Sequence, residues 1–232
     1  MSSYRTIGIL GGMGPEATME LYRRIIRIFQ RDYNAVYDND FPEIIILNLP
    51  IPDVVENSEQ NQIVKLMLVN GSKRLESAGA DFIAIPCNTV SLFLKDIKKE
   101  VSIPLLNIVK ETTNSVKNEK IGLLGTETTI REGFYQKYLK NLILPSKKEQ
   151  KLTTKVIMNV LAGKKKQSDN ETMMFLVKSL FDKGAEEVIL GCTELPLIYN
   201  GTNCIDTIDV LAKAIVREAV ANQKLYKPKP IR

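Results

Sequence analysis

Gly79-Ala80-Asp81-Phe82-Ile83-Ala84-Ile85-Pro86-Cys87-Asn88-Thr89 has a second copy further along the chain, Gly184-Ala185-Glu186-Glu187-Val188-Ile189-Leu190-Gly191-Cys192-Thr193-Glu194. In each copy a Gly-Ala pair closes a helical pattern and a short apolar run follows, bounded like a buried strand. A cysteine then stands at the carboxyl end of that run. A second pair of segments precedes these two in the same order. Ile7-Gly8-Ile9-Leu10-Gly11-Gly12 returns as Ile121-Gly122-Leu123-Leu124-Gly125-Thr126. Self-similarity of this kind marks an internal repeat.

Working outward, short apolar runs alternate with helical periodicity. Residues 6–10, 44–49, 82–85 and 105–108 read as strands of a first half, with helices over 15–29, 62–77 and 91–100. The pattern restarts with strands over 120–124, 142–144 and 187–190, and helices over 129–139, 151–161, 170–183 and 207–222. Alternating strands and helices predict parallel sheets, crossed over right-handedly and covered on both faces. The predicted fold is therefore α/β with two similar subdomains related by a pseudo-twofold axis. Residues 1–110 plus 206–232 form one half, with Cys87. Residues 111–205 form the other, with Cys192. The tail 224–232, with two prolines, is read as frayed.

Composition narrows the chemistry. The net charge of +5 is spread over helices, loops and tail, and tryptophan is absent. There is no basic stripe interleaved with aromatics, so no nucleic-acid partner is expected. No apolar run approaches the ~20 residues of a membrane span. The opening MSSYRTIGIL leads straight into a strand pattern and leaves no room for a signal peptide, so a cytoplasmic location is expected. Three cysteines, an odd number, argue for free thiols in a reducing compartment. No metal-ligand spacing occurs. Histidine is absent altogether, so acid–base work near neutral pH falls to Cys, Asp, Glu, Lys or Tyr.

Ligands of open parallel sheets bind outside the carboxyl ends of the strands, where Cys87 and Cys192 are both predicted. A cysteine at a helix N-terminus is expected to have a lowered pKa. The neighbouring Asn88-Thr89 and Thr193-Glu194, with exposed backbone N–H groups, offer a cradle for a carboxylate. Two thiols on opposite sides of one cleft suit inversion of a stereocentre, because one removes a proton from one face and the other returns it to the opposite face. Cys204 lacks the flanking pattern and reads as structural. A competing motif, Gly12-Met13-Gly14-Pro15-Glu16-Ala17 with Asp38 beyond it, fits a dinucleotide fingerprint. Asp38, however, falls in a polar stretch rather than at the end of a second strand, and the glycines serve a tight strand-to-helix turn equally well. The run Lys164-Lys165-Lys166 reads as a solvated turn.

These residues resemble the aspartate/glutamate racemase family, and most closely its aspartate racemase branch. The similarity rests on residues 7–18 (IGILGGMGPEAT), 79–89 (GADFIAIPCNT), 121–130 and 188–197 (VILGCTELPL), and covers nearly the whole chain. The resemblance implies four-stranded parallel sheets in two subdomains, an active site between them, a homodimer, and neither pyridoxal phosphate nor a metal. It implies Cys87 and Cys192 as the catalytic pair. It implies Met13, Asn88, Thr89, Thr126, Thr129, Thr193 and Glu194 as substrate-cradling positions. Its familiar cations for a distal carboxylate are missing here. Val54 stands where that branch has an arginine, Leu161 where a lysine is frequent, and Ser91 where a histidine is frequent. Lys164 or Lys165 is the candidate replacement.

The resulting expectation is cofactor-independent racemisation of a small acidic amino acid, aspartate before glutamate. The alternatives are a hydantoin racemase, a decarboxylase or isomerase using one cysteine, a non-catalytic amino-acid-binding protein, and a redox switch through Cys87 and Cys192.

Overall fold

The computed structural model describes residues 4–52 and 60–221. Val54 and the tail 224–232 lie outside the described residues.

Two parallel sheets organise the chain. The first has β1 (Ile7–Gly11) at its centre, flanked by β2 (Ile44–Asn48) and β3 (Phe82–Ala84). Every residue of β1 is buried, as a central strand covered on both faces requires. The second sheet runs in the order β5-β4-β6-β7. Its strands are β4 (Ile121–Gly125), β5 (Leu142–Ile143), β6 (Glu187–Gly191) and β7 (Cys204–Asp206).

The helices follow from local chemistry. Pro15 occupies the first turn of α1 (Pro15–Tyr33), where a missing N–H costs nothing, and Asn34 in the left-handed region ends it. Gly79 follows α2 (Asn61–Ser77) with φ +98°, and Gly184 follows α7 (Gln167–Asp182) with φ +96°. The repeated Gly-Ala is thus a repeated helix stop in one backbone conformation. The remaining helices are α3 (Leu94–Glu100), α4 (Ile108–Ser115), α5 (Glu127–Arg131), α6 (Lys147–Leu161) and α8 (Thr207–Val220).

Several elements differ from the sequence expectation. Residues 105–108 do not form a fourth strand of the first sheet. Leu105 makes a single bridge to Ile83, and Asn107 then caps α4 by accepting from the Val109 and Lys110 N–H groups. The first sheet accordingly has three strands and the second four. The helix expected over 129–139 is the short α5. Thr126 caps it, accepting from the Thr129 N–H, and Gly133 in the left-handed region stops it. The segment after Cys87 opens as a 3-10 turn, Thr89–Phe93, before α3 begins. Strand β7 has no counterpart among the strands the sequence predicts.

The largest buried cluster draws on both sheets. Ile7 and Phe82 come from the first, Leu123 and Ile189 from the second, with Leu21 of α1 and Leu211 of α8 packed between.

Candidate active site

Cys87 lies just past β3 and Cys192 directly after β6, at corresponding strand ends of the two sheets. Both are buried, at 7% and 5% exposure, and both line one cleft of about 130 Å³ between the halves. A water needs only roughly 10–15 Å³ of such space, so the cleft admits a small molecule of several heavy atoms.

The loop after β1 forms one wall. Gly12 has φ +100°, and a Cβ there would stand 2.3 Å from the Leu49 carbonyl oxygen. Glycine is therefore required to turn β1 against the end of β2 and to bring Met13 and Gly14 to the cleft. Asp38 sits on an exposed 3-10 turn ahead of β2, away from any strand end. The fingerprint-like glycines are thus a cleft-rim turn.

Six of the seven substrate-cradling candidates line the cleft: Met13, Asn88, Thr89, Thr126, Thr193 and Glu194. The seventh, Thr129, is fully buried behind Thr126, whose hydroxyl donates to Thr129 Oγ1 at 2.9 Å. The halves are stitched together at this point. The Thr89 and Thr126 hydroxyls meet at 3.0 Å, and Thr193 Oγ1 donates to the Pro86 carbonyl at 3.3 Å. Tyr135, fully buried, donates to Asn88 Oδ1 at 2.7 Å. Asn88 Nδ2 in turn donates to Thr207 Oγ1 at 3.3 Å, and Thr207 donates to the Leu190 carbonyl at 3.0 Å. The side chain beside Cys87 is therefore held from the opposite half. Sequence reasoning missed Tyr135 and Thr207, because both stand in apolar helical patterns that do not reveal what a hydroxyl reaches.

Glu194 is buried, and its carboxylate faces the second thiol. Cys192 Sγ donates to Glu194 Oε2 at 3.0 Å, Thr193 Oγ1 to the same oxygen at 3.1 Å, and the Gly14 N–H to Oε1 at 3.2 Å. Burial pushes the Glu194 carboxyl above the ordinary carboxylate value.

The thiols are not the low-pKa groups that their place at helix starts predicts. Burial pushes Cys87 up to about 12, and the nearby Glu194 charge adds to it. Backbone N–H groups of Val90 and Thr89 and the Thr89 hydroxyl favour the thiolate, as the helix-start argument requires, but they are outweighed. Burial, the Glu194 charge and the hydrogen bond to Glu194 likewise raise Cys192 well above its ordinary value. The turns behind the cysteines are also short 3-10 segments, Thr89–Phe93 and Leu195–Leu197, with little aligned dipole to offer.

The positions that the resemblance assigns to a cation are apolar where they reach the cleft: Ile51, Pro52 and Leu161 line it. Lys164 and Lys165 do not line the cleft. Lys165 pairs with Glu16, next to the lining residue Pro15, and Lys164 is exposed. Ser91 is likewise absent from the lining. Cys204 stands on β7, away from the cleft, with its thiol raised to about 11 by burial.

Two repeated parallel sheets that each deliver one cysteine to a shared small-molecule cleft define a two-thiol α/β architecture. The family model for Asp/Glu/hydantoin racemase matches residues 10–215, and the chain belongs to that family. It is an amino-acid racemase of this family, an isomerase. It is 31% identical to the broad specificity amino-acid racemase RacX of Bacillus subtilis, over 94% of this chain and 99% of the relative. Among solved structures it is similar to the aspartate racemase of Picrophilus torridus, with TM-score 0.76 and 27% identity, covering 93% of this chain and 94% of that one. It is also similar to an aspartate racemase homologue from Pyrococcus horikoshii, with TM-score 0.75 and 29% identity, covering 93% and 99%. Among the described residues no helix is long and apolar enough to cross a membrane.

Proposed function

We propose that the protein interconverts L and D amino acids without a cofactor, using Cys87 and Cys192 as the two acid–base groups. The observation that carries this reading is the pair of thiols at corresponding strand ends, facing one cleft from the two halves. One sulfur, as thiolate, takes the hydrogen from Cα on its own face. The other, as thiol, gives its proton to the opposite face, so the two exchange protonation states with each inversion. The substrate α-carboxylate lies against the Asn88-Thr89 and Thr193 backbone, where N–H donors also stabilise charge that develops as the proton leaves. A substrate ammonium in the cleft favours the ionised forms of the sulfurs, offsetting the burial that disfavours them. The resemblance adds a homodimer working in the cytoplasm to the same proposal.

The resemblance and the names of the aspartate and glutamate racemase relatives support an acidic substrate, aspartate first. A second reading, a neutral side chain, is favoured by one observation. Among the described residues, no lysine or arginine lines the cleft, and Leu161 is one of the residues that do. Residues 53–59 contain no lysine or arginine either. A side-chain carboxylate held against that lining has no cation to offset its lost hydration. The broad specificity of the Bacillus subtilis relative agrees with this reading.

The test is proton NMR in deuterium oxide with each pure enantiomer of an amino-acid panel. Wild type washes deuterium into Cα and racemises. Cys87→Ala and Cys192→Ala each abolish racemisation in both directions, because every turnover uses both groups. Each single variant still exchanges one enantiomer by abstraction and return on one face, and the two variants choose opposite enantiomers. Cys204→Ala stays near wild type. Racemisation by either active-site variant at a substantial fraction of the wild-type rate sinks the two-base mechanism.

A further inference from the structure

Asn88 is 2% exposed, lines the cleft beside Cys87, and is gripped at both ends of its amide. The direction of these bonds is set from one end. Thr207 gives its only hydroxyl hydrogen to the Leu190 carbonyl at 3.0 Å, so toward Asn88 it can only accept. The atom facing it at 3.3 Å is therefore the amide nitrogen. The amide oxygen is left for Tyr135, whose hydroxyl donates to it at 2.7 Å. Burial raises the Tyr135 phenol above its ordinary value, so it stays protonated and remains the donor. An amide nitrogen carries two hydrogens, and Thr207 takes one. The other has no partner among the described residues, on a side chain that lines the cleft. Tyr135 is itself firmly set. It is fully buried in the turn after α5, and its carbonyl accepts from the Tyr138 and Leu139 N–H groups at 3.0 and 2.9 Å. Its ring lies so near the end of β6 that a Cβ on Gly191 would stand 3.4 Å from Cε2. One side chain thus meets the residue after Cys87 and the residue before Cys192.

We propose that Tyr135 and Thr207 are positioning residues, which fix the way round that the Asn88 amide stands so that its spare N–H, and not its carbonyl oxygen, meets the substrate α-carboxylate. The two ends of an amide have nearly the same shape, so packing alone does not choose between them. The choice is made by what each end is offered. Tyr135 offers a hydrogen, which only the oxygen can use, and Thr207 offers a lone pair, which only the nitrogen can use. With either partner removed, that end no longer selects, and the amide samples the turned orientation. A turned amide sets its oxygen lone pairs against the carboxylate and replaces an attraction by a repulsion. Asn88 lies past β3 of the first sheet, whereas Tyr135 follows α5 and Leu190 lies on β6 of the second. The orientation therefore exists only while the two halves are closed on each other.

The part played in turnover rests on the racemase reading, but the amide orientation does not, and two measurements separate them. The first is nitrogen-15 NMR of the asparagine side chains, with the Asn88 amide identified by its loss in Asn88→Ala. Wild type gives one sharp Asn88 pair. In Tyr135→Phe, which keeps the ring, and in Thr207→Val, which keeps the shape, that pair shifts and broadens. Thr207→Ser retains the hydroxyl and restores the wild-type pair. The second is kcat/KM for the amino acid that wild type racemises fastest. Tyr135→Phe and Thr207→Val each lower it by about one to two orders of magnitude, the range for a hydrogen bond to a charged group, and Thr207→Ser stays near wild type. Because Tyr135 acts through Asn88, Tyr135→Phe has no further effect in the Asn88→Ala background. A tyrosine that only supports the fold lowers kcat/KM by the same factor in both backgrounds. Circular dichroism confirms that each variant is folded, and if Tyr135→Phe does not fold, the Thr207 pair carries the test. Equal factors in the two backgrounds, or an Asn88 amide unchanged in Tyr135→Phe and Thr207→Val, overturn the proposal. If wild type racemises no amino acid, the racemase reading fails while the Asn88 signal still decides the orientation.

Discussion

At the scale of single residues, the cleft lining mixes polar groups that hold one another in place with apolar side chains at Ile51, Pro52 and Leu161. Leu161 is 40% exposed while lining the cleft, so a longer polar side chain fits there without displacing core. Leu161→Lys places an ammonium in the cleft. It is expected to raise kcat/KM for aspartate relative to alanine by one to two orders of magnitude, since a charge-assisted hydrogen bond contributes about 1.5–3 kcal/mol. Steady-state polarimetry on the two substrates measures this. An unchanged ratio would mean that the substrate side chain points elsewhere. Cys87, Cys192 and most of their neighbours were legible because the repeat states them twice. What sequence could not supply was the balance of forces on the thiols. Position at a helix start is written in the chain, whereas burial of Cys87 and its distance to Glu194 depend on how two halves close. Tyr135 is the same case: its contact with Asn88 spans the two halves.

Among the elements, the long periodic ones were legible and the short ones were not. α1 shows its apolar face at Leu21, Ile25, Ile28 and Phe29 and carries its stop at Asn34. α6 begins four residues ahead of the expected 151, where Ser146 and Glu149 spell a capping box in which each side chain bonds the other's backbone N–H. Cys204 begins a three-residue strand, too short for alternation to register. Glu149 has a consequence beyond its cap. Burial disfavours its charge, but bonds from Lys183, Ser179 and Ser146 outweigh this and hold the carboxyl down at about 2 against an ordinary 4.5. It ties α6 to α7 through Ser179 and to the following turn through Lys183. Because the folded value is depressed, the contribution to stability is complete above about pH 4.5 and drains away as pH falls toward 2. Glu149→Gln is expected to cost about 1–3 kcal/mol in urea unfolding at pH 7. The gap from wild type should narrow steadily below pH 4.5. A gap that stays constant down to pH 3 would show that Glu149 acts by shape and not by charge.

For the whole molecule, the repeat suggests two units while the packing joins them into one. A chain of 232 residues ordinarily has room to fold as separate domains. Here Ile7 and Phe82 of the first sheet share a buried cluster with Ile121, Leu123 and Ile189 of the second, and α8 packs against both α1 of the first half and β6 of the second. The hydrogen bonds from Tyr135 to Asn88 and between Thr89 and Thr126 cross the same boundary at the cleft. Separating the halves would expose that cluster and break the Tyr135–Asn88 and Thr89–Thr126 hydrogen bonds, so neither half has a favourable state alone. Unfolding should therefore be a single transition, with the calorimetric and van't Hoff enthalpies equal and the far- and near-ultraviolet dichroism curves superimposed. Leu123→Ala tests the coupling directly. Leu123 is fully buried in the shared cluster, so its truncation should cost about 2–5 kcal/mol. If the halves are one unit, the loss moves the entire curve to lower temperature and leaves its shape intact. Native-state hydrogen exchange in α1, on the first half, should then report the same loss of stability as exchange in β4 and β6 of the second. A split curve, with signals from the first half unmoved while the second melts early, would mean that the cleft lies between independent domains and that its two sulfurs are held apart by substrate, not by the fold.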